Sequence, residues 1–340
     1  MNEMKRILLA VLFSAMILAI IATPLHASIV PLDRSALIKI AEDYFAALVA
    51  HNPKGVPLAD NIKMVEQVKR IQPGEGLWKT VTSGPTEFKI VVPDTVSQQV
   101  GGIVILGVSD KPAMFGFRLK VEDNKITEAE HMIVEVSNPA NPMIQSIRPA
   151  IPMEVPYKYR DSRGRLIWIA ESYYDALELN NGSLAPFASD CERRENGMRS
   201  APNGGPSLTG NIPGSKPNTS ANAKPNTNAK PKPGSLLGMQ TCAAQLNNGI
   251  FQYIDAIHPR RVFIADELTG IAIGFSQLRH SMIQKKFTVL NTPGVEERDM
   301  SNQQPFDMPS LHLYKIWGGQ IHEIEALGIV ADYNAPTGWE

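Results

Sequence analysis

Little in this chain of 340 residues points to the common catalytic chemistries. It has two cysteines and seven histidines, and the histidines are spread along its length without a cluster. That scatter argues against a metal centre. There is no GxSxG elbow, no HExxH, no P-loop and no GxGxxG between a strand and a helix, so the corresponding hydrolases, zinc proteases and nucleotide-binding folds are set aside. His322-Glu323 has no second histidine at ligand spacing. Charge of one sign is also missing, with 33 basic against 34 acidic side chains. A near-neutral chain has no field for nucleic acid, and "HPRR" at 258–261 is two arginines beside a proline rather than a basic patch. No organic cofactor and no metal are expected.

After residue 22 no long apolar run occurs, but one stands at the start. Lys5-Arg6, then "ILLAVLFSAMILAIIA", then "TPLHA" before Ser28 form a secretory signal peptide over 1–27, cut after Ala27. An uncleaved anchor is the alternative reading, because the run is near the lower length for spanning a bilayer. No cysteine follows the run, which excludes lipid attachment there. Cleavage removes Glu3, Lys5 and Arg6 and leaves 31 basic and 33 acidic side chains, a net of −2. The expected location is secreted or periplasmic, with no membrane contact after cleavage. In such a compartment Cys191 and Cys242 read as one disulfide. Metal-binding thiols are the alternative, without a CxxC or a ligand-spaced histidine to support them.

The chain carries itself twice. "IAEDYFAAL" near residue 40 returns as "IAESYYDAL", and residues 34–66 align on 163–195 without a gap at 13 identities in 33 positions. Leu37, Ile40, Tyr44 and Leu48, like Leu166, Ile169, Tyr173 and Leu177, recur at helical spacing. Each copy therefore opens with an amphipathic helix, stopped by Asn52-Pro53 or Asn181-Gly182. Each closes with a strand–turn–strand unit, turning at Asp123-Asn124 or Gly318-Gly319, in which Ile126, Glu128 and Glu130 match Ile321, Glu323 and Glu325. The offset grows from 129 to 195, so the second copy holds 66 more residues.

Much of that excess is a Pro/Asn/Lys-rich stretch at about 200–240. It has no acid and no aromatic residue, and it reads as a disordered insertion, either a solvated loop or a basic tether. Between helix and hairpin both copies are strand-like, including "GGIVILGV" at 101–108, "FQYIDAI" at 251–257 and "GIAIGFSQL" at 270–278. The fold class is α+β. The domains are 28–150 and 151–340, and each is expected to be a long N-terminal helix on a strongly curved antiparallel sheet.

Helix, meander and closing hairpin of this kind resemble the cone fold of nuclear transport factor two, SnoaL-type cyclases and ketosteroid isomerase. The whole arrangement also resembles a family of secreted tandem proteins of unknown function from fungi and bacteria. The matching stretches are "LADNIKMVEQ", "GEGLW", "PFASDCERRENG", "FQYIDAIHPRRVFIADELTGIAIGF" and the terminal "TGW". Where that family carries "FDHPG", this chain reads "LRHSM" and keeps His280. The resemblance implies a cavity under each helix and an intramolecular pseudo-dimer of the two copies.

In an apolar cavity burial shifts a pKa and makes a weak acid a usable base. Glu66 and Glu195, at the same register after "P-[LF]-A", are candidates, or else carboxylates that fix a turn or pair with an arginine. The second copy is richer in polar groups. Glu195 and His280 are the catalytic candidates, and Tyr173, Asp190, Tyr253 and Arg261 the ligand-binding ones. The first copy adds Glu66 and Trp78. Phe251, Tyr253 and Asp255 are expected on one face of a strand. The functional expectation is a cofactor-free lyase, isomerase or cyclase acting on a small molecule. The alternative is a non-catalytic binding or scaffold protein of the cell envelope. Asn181 and Asn218 head N-x-S/T acceptors for glycosylation.

Overall fold

Two helices of equal length organise the molecule. In α1 (Arg34–Val49) the Asp33 carboxylate caps the first turn, accepting from the Ala36 amide at 2.8 Å. Its buried face is Leu37, Ala41, Tyr44, Phe45 and Leu48, the i, i+4, i+7 stripe of a helix laid on a sheet. A single 3-10 turn at Pro53–Gly55 follows, capped by Asn52. Then come β1 (Leu58–Glu66), β2 (Lys69–Ile71), the short helix α2 (Leu77–Thr80), β3 (Val81–Ser83), β4 (Lys89–Asp94), β5 (Gln99–Val108), β6 (Lys111–Glu122) and β7 (Lys125–Glu135). They form one seven-stranded sheet in the order β2-β1-β7-β6-β5-β3, with β4 also on β5.

This computed structural model describes residues 31–201, 240–292 and 296–340. The expected signal segment 1–27, Asn218 and nearly all of the expected insertion at 200–240 lie outside the described residues.

The second half begins at α3 (Arg163–Glu178), capped by Ser162, with a 3-10 turn at Gly182–Leu184 capped by Asn181. β8 (Phe187–Glu195), β9 (Met198–Ala201), α4 (Cys242–Asn247), β10 (Ala256–Asp266) and β11 (Ile271–His280) follow. A small hairpin of β12 (Lys286–Thr288) and β13 (Glu297–Asp299) stands before β14 (Phe306–Trp317), β15 (Gln320–Gly328) and β16 (Ala331–Asp332). The second seven-stranded sheet runs β10-β11-β14-β15-β8-β9, with β16 on β14.

The two sheets share their pairing in detail. β1 runs parallel to β7 with Leu58 opposite Ile126, a bulge, then Lys63 opposite Glu128. β8 runs parallel to β15 with Phe187 opposite Ile321, a bulge, then Glu192 opposite Glu323. The turn residues Asp123, Asn124, Gly318 and Gly319 all have positive φ, as a two-residue hairpin requires.

Strand alternation separates three cores. On β5, Val100, Val104 and Leu106 face α1, while Ile103 and Ile105 face the other way. On β14, Tyr314 and Ile316 face α3, while Leu311 and Leu313 face the first sheet. The third core, which includes Phe88, Ile103, Ile264, Phe275 and Leu311, is therefore built by both sheets back to back. Strands buried on both faces explain the nearly unbroken apolar run "GGIVILGV". Gly101 and Gly116 let the sheets approach, since a Cβ on Gly116 would lie 2.9 Å from Leu311 Cδ1 and one on Gly101 2.6 Å from Ile264 Cδ1. Residues Leu32–Glu340 accordingly form one compact unit.

One expected strand is corrected. Residues 251–253 form a turn, 254 and 255 are irregular, and β10 starts only at Ala256. Gly249 takes φ +78, the Asn248 side chain accepts from the Ile250 amide at 2.8 Å, and the Ile254 amide bonds back to the Phe251 carbonyl at 2.9 Å. These local bonds bend the segment before it can pair.

Candidate functional site

A cavity of about 190 Å³ lies between α3 and the second sheet. Tyr173 enters from α3, Glu195 from the end of β8, His280 from the end of β11 and His312 from β14, and Phe251 and Tyr253 come from the bent segment before β10. One exchange explains the room. In the second sheet His312 pairs across the strands with Ala326, and at the matching place in the first sheet Phe117 pairs with His131. A methyl group on β15 stands where β7 carries an imidazole.

In the first half that imidazole is used internally. The Tyr44 hydroxyl lies 2.9 Å from His131 Nε2, and His131 Nδ1 lies 3.1 Å from Glu66 Oε2. Glu66 also accepts from the Leu77 amide at 3.0 and 3.2 Å and so fixes the start of α2. Trp78 sits edge-on to Tyr44 at 5.3 Å. Burial pushes the Tyr44 hydroxyl well above the usual phenol range, with the Glu66 charge adding to it. Glu66 and Trp78 thus belong to a packed polar core.

In the second half the hydrogen-bonding role passes to Arg193, which is fully buried. It donates through Nε to Ser200 Oγ at 3.0 Å, through Nη1 to the Tyr173 hydroxyl at 3.4 Å and through Nη2 to Gln245 Oε1 of α4. Its guanidinium lies 5.2 Å over the Phe251 ring and 3.2 Å from Glu195 Oε1. Glu195 itself stands at the cavity's rim, its side chain 46% exposed. Cys191 and Cys242 are joined, with Cα atoms 5.9 Å apart, and the bond ties β8 to α4 beside Arg193.

The histidines of the cavity are neutral at pH 7. Burial pushes His280 down to about 4, against the weaker pull of Asp255 and Asp307. Its ring is stacked between Phe306 at 4.1 Å and Tyr253 at 5.4 Å, and its Nδ1 has no hydrogen-bond partner. Burial, then the Arg193 charge, pushes His312 down to about 3. Burial raises Tyr173, with Arg193 opposing, and also raises Tyr253. The site therefore offers neutral imidazoles that resist protonation and can accept a hydrogen bond, phenols that keep their protons, a fixed cation behind Tyr173 and a carboxylate at the mouth.

Two expected site residues lie elsewhere. Asp190 is buried against His322 Nδ1 at 2.9 Å, and that imidazole stacks on Trp317 at 3.4 Å. Arg261 reaches the first half and grips Glu130 through both carboxylate oxygens at 2.6 and 2.9 Å. A guanidinium on the far face of β10 finds a carboxylate of the other sheet before it finds the cavity. Arg193, His312 and Gln245 were not singled out from the sequence. The available signals were His312 replacing Phe117 at the offset of 195 and Arg193 replacing Met64 at the offset of 129. Among the described residues no group of three His, Cys, Asp or Glu side chains is placed to hold a metal.

The fold and cavity define an α+β protein with a helix-covered sheet and a partly open, mostly apolar cavity that carries a few polar side chains. Residues 159–328, half of the chain, match the family described as a domain of unknown function, DUF8021, and the chain belongs to that family. No curated protein matches it. Similar solved structures include an NTF2-like protein of unknown function from Cytophaga hutchinsonii, 13% identical over 28% of this chain and 88% of that one, at a TM-score of 0.24. A putative ketosteroid isomerase from Kribbella flavida is 16% identical over 36% of this chain and 93% of that one, at a TM-score of 0.26.

Proposed function

We propose that this is a secreted protein of two tandem cone-like domains, a pseudo-dimer within one chain, whose second domain binds a small molecule and moves a proton on it. The first domain serves as its packed structural partner. The observation that carries this reading is the exchange of His131 for Ala326, which leaves a space ringed by Tyr173, His280 and His312. Size limits the ligand. A dry cavity of about 150 Å³ takes benzene, so about 190 Å³ suits a single ring and excludes fused-ring systems. His280, whose Nδ1 has no hydrogen-bond partner, is the base of the proposal, a weak one because burial lowers its pKa, and it takes its proton from a carbon acid made more acidic by the Tyr173 contact. The Tyr173 hydroxyl accepts from Arg193, which leaves its own O–H to meet a ligand carbonyl and to stabilise the charge that develops there. That is proton transfer of the isomerase or lyase type, without a cofactor.

Binding without turnover is the second reading. It is favoured by Glu195, which stands half-exposed and tied to Arg193 rather than buried as a base.

A thermal-shift screen tests the cavity with single-ring phenols and lactones, with naphthols as a size control, on the parent and on Ala326→His. A ligand at a hundred times its Kd adds about 2.7 kcal/mol. The expected result is stabilisation of the parent by a single-ring compound and none in Ala326→His. Equal shifts in both proteins, or none with any compound, overturn the assignment of the site. Product formation by the parent but not by His280→Phe then separates the enzyme from the silent binder.

A further inference from the structure

The polar wall of the cavity is assembled across a covalent pin. Cys191 and Arg193 lie two residues apart on β8, and Cys242 and Gln245 lie one helical turn apart on α4. The disulfide and the Arg193–Gln245 hydrogen bond are thus two adjacent ties between the same strand and the same helix. α4 is only six residues long, too short to hold itself in place by its own hydrogen bonds. Its other anchors are Asn247, whose side chain accepts from the Gly182 amide at 2.7 Å, and buried Leu246. Immediately after α4 the chain supplies Phe251 and Tyr253 to the cavity. No counterpart of this device stands in the first half, where Met64 occupies the place of Arg193 and Ile62 that of Cys191.

We propose that Gln245 and Arg193 are positioning residues of the cavity, and that the Cys191–Cys242 disulfide is a redox pin that holds the Tyr173 hydroxyl in its ligand-meeting orientation. Reduction by a dithiol breaks the S–S bond. Two electrons and two protons pass to the cysteines as two thiols, and the dithiol closes to its own disulfide. α4 then loses its covalent tie, Gln245 leaves Arg193, and the guanidinium, still beside Glu195, turns from Tyr173 to water. With α4 the segment bearing Phe251 and Tyr253 loosens, and water reaches His280 and His312. The cavity is in this way closed and ordered in an oxidising compartment and open in a reducing one. The ligand part rests on the cavity reading above. The opening itself does not.

The test has two independent readouts on the full chain, oxidised and dithiothreitol-reduced, with Gln245→Ala and Gln245→Glu alongside. The first needs no ligand. Proton NMR follows the ring protons of His280 and His312 with pH, and His258, outside the cavity, serves as control. The expected result is that both midpoints climb from about 4 and about 3 towards the ordinary 6.5 on reduction and in Gln245→Ala. Gln245→Glu, which still accepts from Arg193 but loses the amide that Gln245 donates to the Ser200 carbonyl, moves them less than Gln245→Ala does. The second readout is the affinity for 4-hydroxybenzaldehyde, a single ring with a carbonyl, which is expected to weaken at least tenfold on reduction and in Gln245→Ala and to recover in part in Gln245→Glu. If the reduced chain unfolds, Gln245→Ala with its disulfide intact still decides. Histidine titrations that are the same in oxidised, reduced and Gln245→Ala protein overturn the pin. If the probe fails to bind in every state while the titrations move, the ligand reading falls and the pin stands.

Discussion

A single side chain separates the space under α3 from the filled polar core under α1. His131 on β7 and Ala326 on β15 hold the same register, and the imidazole bonds Tyr44 and Glu66 whereas the methyl group leaves space. Tyr44 and Tyr173 were visible as one repeated position, yet their partners differ because Met64 and Arg193 differ beside them. The neutral histidines carry a pH prediction. His280 and His312 have folded values near 4 and 3, below the 6.5 of an unfolded chain. As pH falls below 6.5 the unfolded state takes up protons that the folded state refuses. Stability is therefore full above pH 6.5 and is lost progressively towards pH 4. Fully expressed, the shift is worth about 3 kcal/mol for His280 and about 5 kcal/mol for His312. Urea melts at pH 7 and pH 4 should show the loss, and His312→Phe, which copies Phe117, should reduce it. A flat profile in the parent would mean that the two rings are hydrated.

At the scale of elements, the ends of helices and strands follow local chemistry. Asp33 caps α1 by accepting from Ala36, and Asp33→Ala should cost about 1 kcal/mol in a denaturant titration. The two-residue turns appeared where Asp123-Asn124 and Gly318-Gly319 stand. The stretch 251–255 was misread because its alternation of aromatic and acidic residues suits a strand, while Gly249 and the Asn248 side chain impose turns. The tie between β8 and α4 closes a separation of 51 residues. On chain-entropy grounds its removal should cost about 4 kcal/mol, measurable as a lower Tm for the Cys191→Ser, Cys242→Ser double variant. No change in Tm would show that the pair adds nothing to the folded state.

At the scale of the whole molecule, the halves hold each other reciprocally. Arg163 at the start of α3 binds Asp94 at the end of β4, with Nε at 2.9 Å from Oδ2. Arg34 at the start of α1 binds Asp266 at the end of β10, with Nη2 at 2.6 Å from Oδ2. Residue i meets j′ and i′ meets j, the pattern of an isologous interface. Asp94 is almost wholly buried and keeps the Val96, Ser97 and Ala265 amides, so Arg163→Ala removes its counter-charge but not all its partners and should cost about 2 kcal/mol. Asp94→Asn in the same chain should recover part of that loss. A cost below about 0.5 kcal/mol would make the pair a surface contact. Because both sheets build the third core, urea should unfold the chain in one transition, and two separated transitions would contradict that shared core.

The α+β class, both long helices with their buried stripes, the closing hairpins, the match of one half to the other and the cysteine pair were all legible in the sequence. Each rests on spacing within a few residues or on comparing two stretches directly. The tertiary structure alone decided that Arg261 meets Glu130 across 131 residues, that Asp190 is taken by His322 across 132, and that Arg193 stands behind Tyr173. A side chain's charge state and chemical use depend on what a distant strand places against it. That neighbour is set by sheet order and by the close approach at Gly101 and Gly116, neither of which leaves a local periodicity to read.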